Sequence, residues 1–337
     1  MIGSDLTKLV PEISELYLLR YEMLKIISDN EPIGRRALAR MLGVNERKVR
    51  KQSDFLQRLN YINITEMGMN ITEEGMEVLA ISGKYADEFR DIKNLKSKLI
   101  KKLEIEDIYI IDANIGGIFN SKSFAVYAGE YIHGFISDGD IIGITGGSTM
   151  KLMVDYMNNG KSYPKSIVVP ARGSLGKKYE YQANAIVEIL ADKLGTEYFT
   201  INFPDYMDAD IIDEIKDDDI KKYNRLIGSI DLLVFGVGRA DIMSLRRRLS
   251  QDTIMELESR GAVCEAFGNY FDIDGNNIFE TSSIGLTLDG YKRVRTAIAV
   301  AFGNEKAEPI ISLANIKKDI RIIMDLECAR SVEKCLK

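Results

Sequence analysis

The chain has 337 residues, of which 45% are apolar and 28% charged, and its formal net charge is −6. This composition is that of an ordinary globular protein and excludes disordered and fibrous classes, while the length favours two domains. No apolar run reaches the roughly 18 to 20 residues that cross a bilayer, and the N-terminus lacks the pattern of a signal peptide, so we expect a cytoplasmic protein without a membrane partner.

A basic block lies near the N-terminus of this acidic chain. Residues 34–58 contain eight basic and two acidic side chains, a local net charge of +6, so the other residues together carry −12. Such a block is typical of a dedicated nucleic-acid module, but a solvated helix face has the same composition. The spacing of apolar residues distinguishes these two interpretations.

Helical spacing predicts three short helices here, over 11–28, over 34–42 and after Asn45, a residue suited to cap a helix. The second and third are joined by a glycine-containing turn and the third has a basic face, which is typical of a helix-turn-helix. Residues 61–64 and 69–71 predict a hairpin that would form a wing. DNA binding is therefore favoured over a solvated face. The residues expected to contact DNA are Arg35, Arg36, Asn45, Arg47, Lys48, Arg50 and Lys51.

A linker helix is predicted over 84–104, with one apolar stripe at spacings of three and four residues. The stripe can pack against a domain, or it can join two copies of the chain. The sequence favours neither alternative. We expect a DNA-binding domain at 1–83, this linker, and a ligand-binding and oligomerisation domain at 105–337.

Beyond residue 105 the pattern changes to strands that alternate with helices. Helix-period segments at 148–157, 182–194 and 305–314 lie between several apolar runs. This alternation predicts an α/β domain with a doubly wound, mostly parallel sheet. The strand candidates are 107–111, 140–144, 166–169, 197–201, 231–235, 295–301 and 320–324.

Four glycine-containing loops follow predicted strands, at 145–149, 169–176, 235–239 and 302–306. In a doubly wound sheet, ligands bind at the carboxyl ends of strands. Glycines let backbone N–H groups converge on an anion at the start of a helix. Three of the loops add a cation, namely Arg172, Arg239 or Lys306. Each loop alone could be a turn with a solvated basic residue, but together they predict a phosphorylated small molecule as ligand.

Residues typical of metal sites and of common catalytic bases are scarce. The single histidine, His133, lies in an apolar-periodic stretch and is predicted to be a packed or surface residue rather than a base. The three cysteines include no CxxC pair. Their spacing therefore supports neither a disulfide framework nor a metal site or a cofactor. Catalysis by carboxylates remains an alternative, because a fold can bring carboxylates together from distant positions in the sequence.

Eight short motifs spread over most of the chain carry a resemblance. They are EPIGRR (31–36), LGVNER (42–47), ITEEG (71–75), TGGST (145–149), VPARG (169–173), QAN (182–184), EAFG (265–268) and KAE (306–308). Their combination resembles the SorC/DeoR family of transcriptional regulators, and within it the repressors of central glycolytic genes of Gram-positive bacteria. The resemblance implies a winged helix-turn-helix and an effector domain similar in fold to sugar-phosphate isomerases and deaminases. It further implies operator DNA as partner, a homo-oligomer, and fructose-1,6-bisphosphate as effector.

The resemblance also implies roles for particular residues. Arg246 or Arg247 would contact a second phosphate, and Gln182 and Glu265 would contact sugar hydroxyls. The first phosphate would be held by Gly146, Gly147, Ser148, Thr149, Arg172 and Lys306, and the rest of the implied site is Thr145, Gly173 and Leu175.

Three positions depart from the family pattern. Ser174 stands in place of a glycine, Phe235 in place of a histidine and Arg239 in place of an acidic residue. The last two lie near the implied second-phosphate side, which leaves the identity of the bisphosphate open.

A sugar-phosphate isomerase or deaminase is the main alternative, since the same sheet and phosphate loop would serve an enzyme. The deaminases carry a GxGxDGH motif whose Asp and His transfer protons, whereas residues 236–243 read GVGRADIM and lack the histidine. A protein-interaction adaptor without ligand or DNA accounts for neither the basic helix nor the four loops. We therefore predict a non-enzymatic repressor whose operator affinity is controlled by a sugar phosphate.

Overall fold

The computed structural model describes residues 13–115, 118–158, 161–173, 178–201, 218–281 and 284–337. The chain divides into two compact units, one ending at Asn94 and the other beginning at Leu95. Leu175 and Ser174, which the sequence analysis singled out, lie outside the described residues.

The first unit contains the three predicted helices and the predicted hairpin. Gly43 ends the second helix in the left-handed conformation (φ 64°), and Asn45 caps the third by accepting a 2.8 Å hydrogen bond from the Lys48 N–H. The elements are α1 Ile13–Asn30, α2 Arg35–Leu42, α3 Glu46–Arg58, β1 Ile62–Thr65 and β2 Gly68–Ile71. The helix-turn-helix spacing is thus fixed by the two cap residues in the turn.

One apolar cluster holds these elements together. Ile33 pairs with Met69, which brings the hairpin against the residues that precede α2. The buried cluster is formed by Met23, Leu24, Ile27, Ile33, Leu38, Ala39, Val49, Leu56, Ile62 and Met69. Burial of these side chains leaves the basic face of α3 exposed to solvent.

The predicted linker helix is longer than 84–104. It is α4, Glu73–Leu103, and it begins directly after the hairpin. Thr72 accepts a 3.0 Å hydrogen bond from the Gly75 N–H at its first turn, and Gly83 lies inside the helix, where a glycine costs only about 1 kcal/mol relative to alanine. The predicted start at residue 84 is therefore wrong, because capping at Thr72 outweighs a single interior glycine.

The second unit contains one large sheet and two small ones. Its strands are β3 Asp107–Ile111, β4 Asn114–Ile115, β5 Ile118–Phe119, β6 Ile141–Ile144, β7 Ile167–Pro170, β8 Glu197–Tyr198, β9 Leu232–Gly236, β10 Gly238–Arg239, β11 Cys264–Ala266, β12 Asn269–Phe271, β13 Asn277–Glu280, β14 Thr296–Ala301 and β15 Ile320–Asp325. In the described chain, seven of them form a sheet in the order β3-β15-β14-β9-β6-β7-β8. All neighbouring pairs of that sheet are parallel, which confirms the predicted parallel sheet.

Helices cover both faces of this sheet. The helices of the second unit are α5 Ser121–His133, α6 Ser148–Tyr156, α7 Ala183–Leu194, α8 Asp218–Gly228, α9 Ala240–Arg246, α10 Gln251–Ser259, α11 Leu288–Arg293, α12 Ala307–Ile316 and α13 Leu326–Cys335. Of these, α9 and α10 pack with β12 and β13 and not on the large sheet. Alternate residues of β9 point to opposite faces: Leu233 and Phe235 belong to the core with α8, α12 and α13. Leu232 and Val234 belong to the core with α5, α6 and α7. The sheet is doubly wound, as predicted.

A topological switch point lies between β6 and β9. From β6 the chain adds β7 and β8 on one side, and from β9 it adds β14 and β15 on the other. The loops after β6 and β9 therefore diverge and leave a crevice at the carboxyl ends of the two strands, which is where ligands bind in open parallel sheets.

An antiparallel sheet of β10, β11, β12 and β13 stands beside this crevice and was not predicted. Its strands have two to four residues, too few for an alternating pattern to be recognised in the sequence. Phe267 (φ 54°) and Gly268 (φ 80°) form the turn between β11 and β12. This small sheet adds Arg239 and Glu265 to the walls of the crevice.

Candidate functional site

A cavity of about 410 Å³ occupies the crevice at the switch point. That size suits a small ligand, since small-molecule sites span roughly 300 to 1,000 Å³. The cavity is lined by every predicted effector-binding residue of the described chain: Thr145, Gly146, Gly147, Ser148, Thr149, Arg172, Gly173, Gln182, Arg246, Arg247, Glu265 and Lys306. Residues from six separate stretches of sequence are thus brought together at one place.

The glycine loop after β6 has a backbone shape that requires glycine. Gly147 lies at φ 117° and ψ 160°, a region that is almost exclusive to glycine, and its N–H donates to the Tyr181 carbonyl over 2.8 Å. An added Cβ on Gly146 would lie 2.7 Å from the same carbonyl oxygen. The loop leads directly into α6, whose first N–H groups have no partner within the helix and favour an anion.

The loops after β6 and β9 are joined across the switch point. Thr145 Oγ1 accepts a 3.3 Å hydrogen bond from the Gly236 N–H, so the hydroxyl proton of Thr145 can be donated to a ligand. Both loops line the cavity, and this hydrogen bond connects them.

Arg172 follows β7 and is buried against two glycines. An added Cβ on Gly268 would lie 2.9 Å from both terminal nitrogens of Arg172, and one on Gly285 would lie 3.2 Å from its Cδ. The side chain fits only because neither glycine carries a Cβ. The turn at Gly268 therefore shapes the slot of this guanidinium.

Lys306 is positioned by the loop after β14. The Gly303 N–H donates to the buried Asp325 carboxylate over 2.9 Å, and the Lys306 ammonium donates to the Val237 carbonyl over 3.0 Å. Burial, with a further contribution from the positive charges of Arg239 and Arg246, lowers the pKa of Lys306. A bound dianion would oppose that shift and is favoured electrostatically at this position.

Arg247 and Glu265 form a buried ion pair. Their side chains are 5% and 6% exposed, and the Arg247 Nη2 to Glu265 Oε1 distance is 2.9 Å. The same oxygen accepts from the Gly268 N–H over 2.8 Å. Of the two arginines that the sequence offered for a second phosphate, Arg246 is exposed, whereas Arg247 already balances Glu265.

Positive charge dominates the cavity wall. Within the described residues, its lining includes six basic side chains, Arg172, Lys178, Arg239, Arg246, Arg247 and Lys306, and one carboxylate, Glu265. Phe235 lies in this wall as a buried side chain, 5.0 Å from the Phe267 ring and 5.5 Å from the Tyr291 ring between centroids. The cavity combines an apolar side with cations, as a phosphorylated sugar requires.

The stretch that would carry the proton-transfer motif of a deaminase holds an ion pair instead. Arg239 Nη2 lies 2.6 Å from Asp241 Oδ2, and Arg239 Nε lies 3.1 Å from Asp241 Oδ1. The hydrogen bond from Arg239 lowers the pKa of Asp241. A carboxylate held ionised in this way is a poor proton acceptor at neutral pH.

The basic surface of the first unit lies on α3 and the start of α2. Arg47, Lys48 and Lys51 are exposed and have no acidic partner among the described side chains. Arg35 pairs with Asp54 at 2.8 Å, Arg36 lies 3.4 Å from Glu46, and Arg50 lies 3.7 Å from Glu46. Asn45 is committed to capping α3. Exposed surface ion pairs contribute about 0 to 1 kcal/mol, so Arg36 and Arg50 can exchange Glu46 for a phosphate.

Comparison with known proteins places these features in a family. Residues 87–332 match the family model of a sugar-binding domain, and residues 18–82 match the CggR N-terminal DNA binding domain. The chain belongs to the SorC family of transcriptional regulators. It is 30% identical over 327 residues to the central glycolytic genes regulator of Bacillus subtilis, covering 96% of both chains. It is 25% identical over 313 residues to the deoxyribonucleoside regulator of the same organism, covering 86% of this chain and 96% of the relative.

Solved structures of transcriptional regulators share this fold. The full-length sorbitol operon regulator SorC of Klebsiella pneumoniae superimposes with a TM-score of 0.64 at 18% identity, over 90% of this chain and 94% of that one. A transcriptional regulator of Streptococcus pneumoniae TIGR4 gives a TM-score of 0.66 at 19% identity, over 74% of this chain and 99% of that one.

Several residues of the cavity were missed by the sequence analysis of this SorC regulator. Tyr181 lines it from the 3₁₀ turn Tyr179–Tyr181, Lys178 lines it from the residue before that turn, and Ile242 and Met243 line it from α9. No motif marks them, because their positions depend on how the chain returns to the cavity. The described residues contain no His, Cys, Asp and Glu cluster suited to a metal ion. No helix in the described ranges is long and apolar enough to cross a membrane.

Proposed function

We propose that this SorC regulator is a cytoplasmic repressor of glycolytic genes, and that fructose-1,6-bisphosphate or a related sugar bisphosphate controls its affinity for operator DNA. The protein acts as a homo-oligomer, a dimer or a tetramer, with a DNA-binding domain at 1–83, a linker segment at 84–104 that is part of the longer helix α4, and an effector domain at 105–337. Its relative at 30% identity is a central glycolytic genes regulator. The name of that relative supports glycolytic genes as the target.

The main support for a phosphorylated ligand is that several groups able to bind phosphate converge on one cavity. The glycine loop and the start of α6 offer backbone N–H groups, Thr149 and Ser148 offer hydroxyls, and Arg172 and Lys306 offer charge. Gln182 and Glu265, with Thr145 and Gly173 beside them, present polar groups for sugar hydroxyls. Leu175 stays a predicted contact outside the described residues. A phosphate at one end of a sugar would bind the glycine loop and its neighbouring cations, and the sugar ring would reach the polar groups of Gln182 and Glu265.

The DNA partner is supported by the exposed basic face of α3. We assign contacts with bases or phosphates to Arg47, Lys48, Arg50 and Lys51 on this helix. Arg35 and Arg36 lie at the start of α2 and would contact backbone phosphates, while Asn45 holds the turn between α2 and α3.

A sensor is favoured over an enzyme by the Arg239–Asp241 ion pair. Proton transfer between sugar carbons needs a base whose pKa lies near neutrality. Asp241, in the stretch that would supply this base, has its pKa lowered by Arg239. We therefore assign no catalytic residue.

The test is a gel-shift experiment with duplex DNA selected from a random pool by the full chain. Fructose-1,6-bisphosphate should release the DNA, and a variant with Arg47→Ala and Arg50→Ala should lose about 1 to 3 kcal/mol of binding energy for each base contact removed. The matched control, Lys221→Ala with Arg225→Ala, removes the same charge from α8. Unchanged DNA affinity of a folded Arg47 and Arg50 variant, or equal loss in the control, would contradict the DNA assignment. Turnover of a sugar phosphate would contradict the assignment as a non-enzyme.

A further inference from the structure

Arg239 is a cation of the cavity wall at a position where the family pattern has an acidic residue, so the resemblance gives it no role in the site. It lies in β10, just after the switch-point loop that follows β9. Its side chain is 34% exposed, so the guanidinium lies at the wall of the cavity and not in the core.

The geometry of the ion pair determines which edge of this guanidinium can meet a ligand. Asp241 accepts hydrogen bonds from Arg239 Nε and Nη2, which is one of the two bidentate edges of a guanidinium. An arginine side chain has five N–H donors, and in the described chain the remaining three of Arg239 have no hydrogen-bond acceptor. The edge formed by Nη1 and Nη2 is therefore available to a second planar or tetrahedral anion.

Asp241, the acidic partner of Arg239, lies outside the cavity lining. Asp241 is fixed independently, because its Oδ1 also accepts from the Ile242 N–H over 2.8 Å at the start of α9. Arg239 lines the cavity, whereas Asp241, Glu305 and Glu308 are not part of its lining. The hydrogen bond to Asp241, with the charges of Glu305 and Glu308, raises the pKa of Arg239, and an arginine is in any case charged at neutral pH.

A second anion in this position would meet more than one cation. Arg239, Arg246 and Lys306 all line the same cavity. Arg246 is exposed at the end of α9, which begins at the residue after Arg239. Arg247 is already paired with Glu265, so Arg239 and Arg246 are better placed than Arg247 to receive a second phosphate.

We propose that Arg239 is a specificity-determining residue of this regulator, which binds the second phosphate of a sugar bisphosphate through its Nη1 and Nη2 edge, while Asp241 positions it. This inference rests on the proposed function and extends it to the residue that selects for the second phosphate. The cavity selects sugars that carry a phosphate at each end, because a monophosphate held by the glycine loop leaves Arg239 without its anion.

Calorimetry of the full chain with fructose-1,6-bisphosphate and with fructose 6-phosphate tests the assignment. Arg239→Gln should weaken bisphosphate binding by about ten- to a hundredfold, the size of a charge-assisted bidentate contact, and change monophosphate binding by less than about threefold. Arg239→Lys keeps the charge without the bidentate edge and should fall between the two. Asp241→Asn should lower the preference for the bisphosphate by a smaller factor, because the guanidinium loses its support.

The matched control is Arg260→Gln, which removes an exposed arginine that pairs with Glu256 outside the cavity and should leave both affinities unchanged. Far-ultraviolet circular dichroism and thermal unfolding establish that each variant is folded. A wild-type bisphosphate affinity in Arg239→Gln, or an equal loss for both sugars, would overturn the role of Arg239 alone. Failure of the wild-type protein to bind either sugar would overturn the proposed function, and this inference with it.

Discussion

Gly147 shows how one residue determines the shape of the phosphate loop. Its backbone angles, φ 117° and ψ 160°, are strained for any residue with a side chain. No atom lies within 4 Å of a Cβ added at this position. The requirement for glycine is therefore conformational and does not come from lack of space.

We expect Gly147→Ala to weaken fructose-1,6-bisphosphate binding and to destabilise the second unit by about 1 to 3 kcal/mol, the cost of a residue held in this region. The matched control is Gly228→Ala at the end of α8, where there is also no atom within 4 Å but the φ angle is ordinary. Calorimetry and urea unfolding provide the two measurements. Equal effects of the two substitutions would show that backbone strain at Gly147 is not the determining factor.

At this scale the sequence predicted residues that line the cavity better than the residues that support them. Arg172, Gln182 and Lys306 follow recognisable loops, and the structure brings them to one cavity. Asp325 was not recognised as the acceptor for the Gly303 N–H, and Glu265 was not recognised as the partner of Arg247. Such partners are distant in sequence, so their pairing depends on the fold and not on a local pattern.

Among the elements, the strands of the large sheet were predicted within one or two residues at most ends. They are buried apolar runs bounded by turn residues, as β9 and β14 illustrate. β8 ends at Tyr198, earlier than the predicted 197–201. The strands β10 to β13 had no usable pattern, because each is very short.

The attachment of α4 to the second unit combines apolar and polar contacts. Leu99 is fully buried in the core shared with α13, whereas Lys98 forms a 2.5 Å ion pair with Glu333 near the surface. Lys102 donates to the Leu336 carbonyl over 2.8 Å, and Lys318 donates to the Leu103 carbonyl over 3.0 Å. The apolar contact should dominate the energy, and the polar contacts should set the orientation of the helix.

We therefore expect Leu99→Ala to lower the free energy of unfolding by about 2 to 5 kcal/mol through loss of burial and a residual cavity. Lys98→Ala should cost less than about 1 kcal/mol, since it removes a partly exposed ion pair. Urea unfolding of the full chain, followed by circular dichroism, measures both. A cost of Lys98→Ala that matched or exceeded that of Leu99→Ala would contradict this ranking.

For the whole molecule, α4 is the element that belongs to both compact units. It begins at Glu73 in the first unit and ends at Leu103 in the second. Its C-terminal part contacts α13. Asp325, at the end of β15, directly precedes α13. The same residue accepts a hydrogen bond from the Gly303 N–H, in the loop that contains Lys306. A continuous series of covalent and hydrogen bonds thus connects the cavity with α4.

Coupling between sugar and DNA has a thermodynamic consequence that tests the entire assignment. If fructose-1,6-bisphosphate lowers operator affinity by a given factor, operator DNA must lower sugar affinity by the same factor, about 5- to 150-fold for a coupling of about 1 to 3 kcal/mol. The expected direction is that of the proposed function, in which the sugar releases the operator. Calorimetric titration of the sugar into the free protein and into its DNA complex measures one side of this cycle, and operator titration with and without the sugar measures the other.

The Arg47→Ala and Arg50→Ala variant provides the control for this cycle. At a DNA concentration that saturates the wild-type protein and not the variant, it should bind the sugar with the affinity of the free protein, because little of the variant is bound to DNA. Equal sugar affinities of the wild-type protein with and without bound operator, in a protein that binds both, would refute the coupling. Unequal factors on the two sides would show that more than one ligand-bound or oligomeric state takes part, since reciprocity holds for any single pair of binding equilibria.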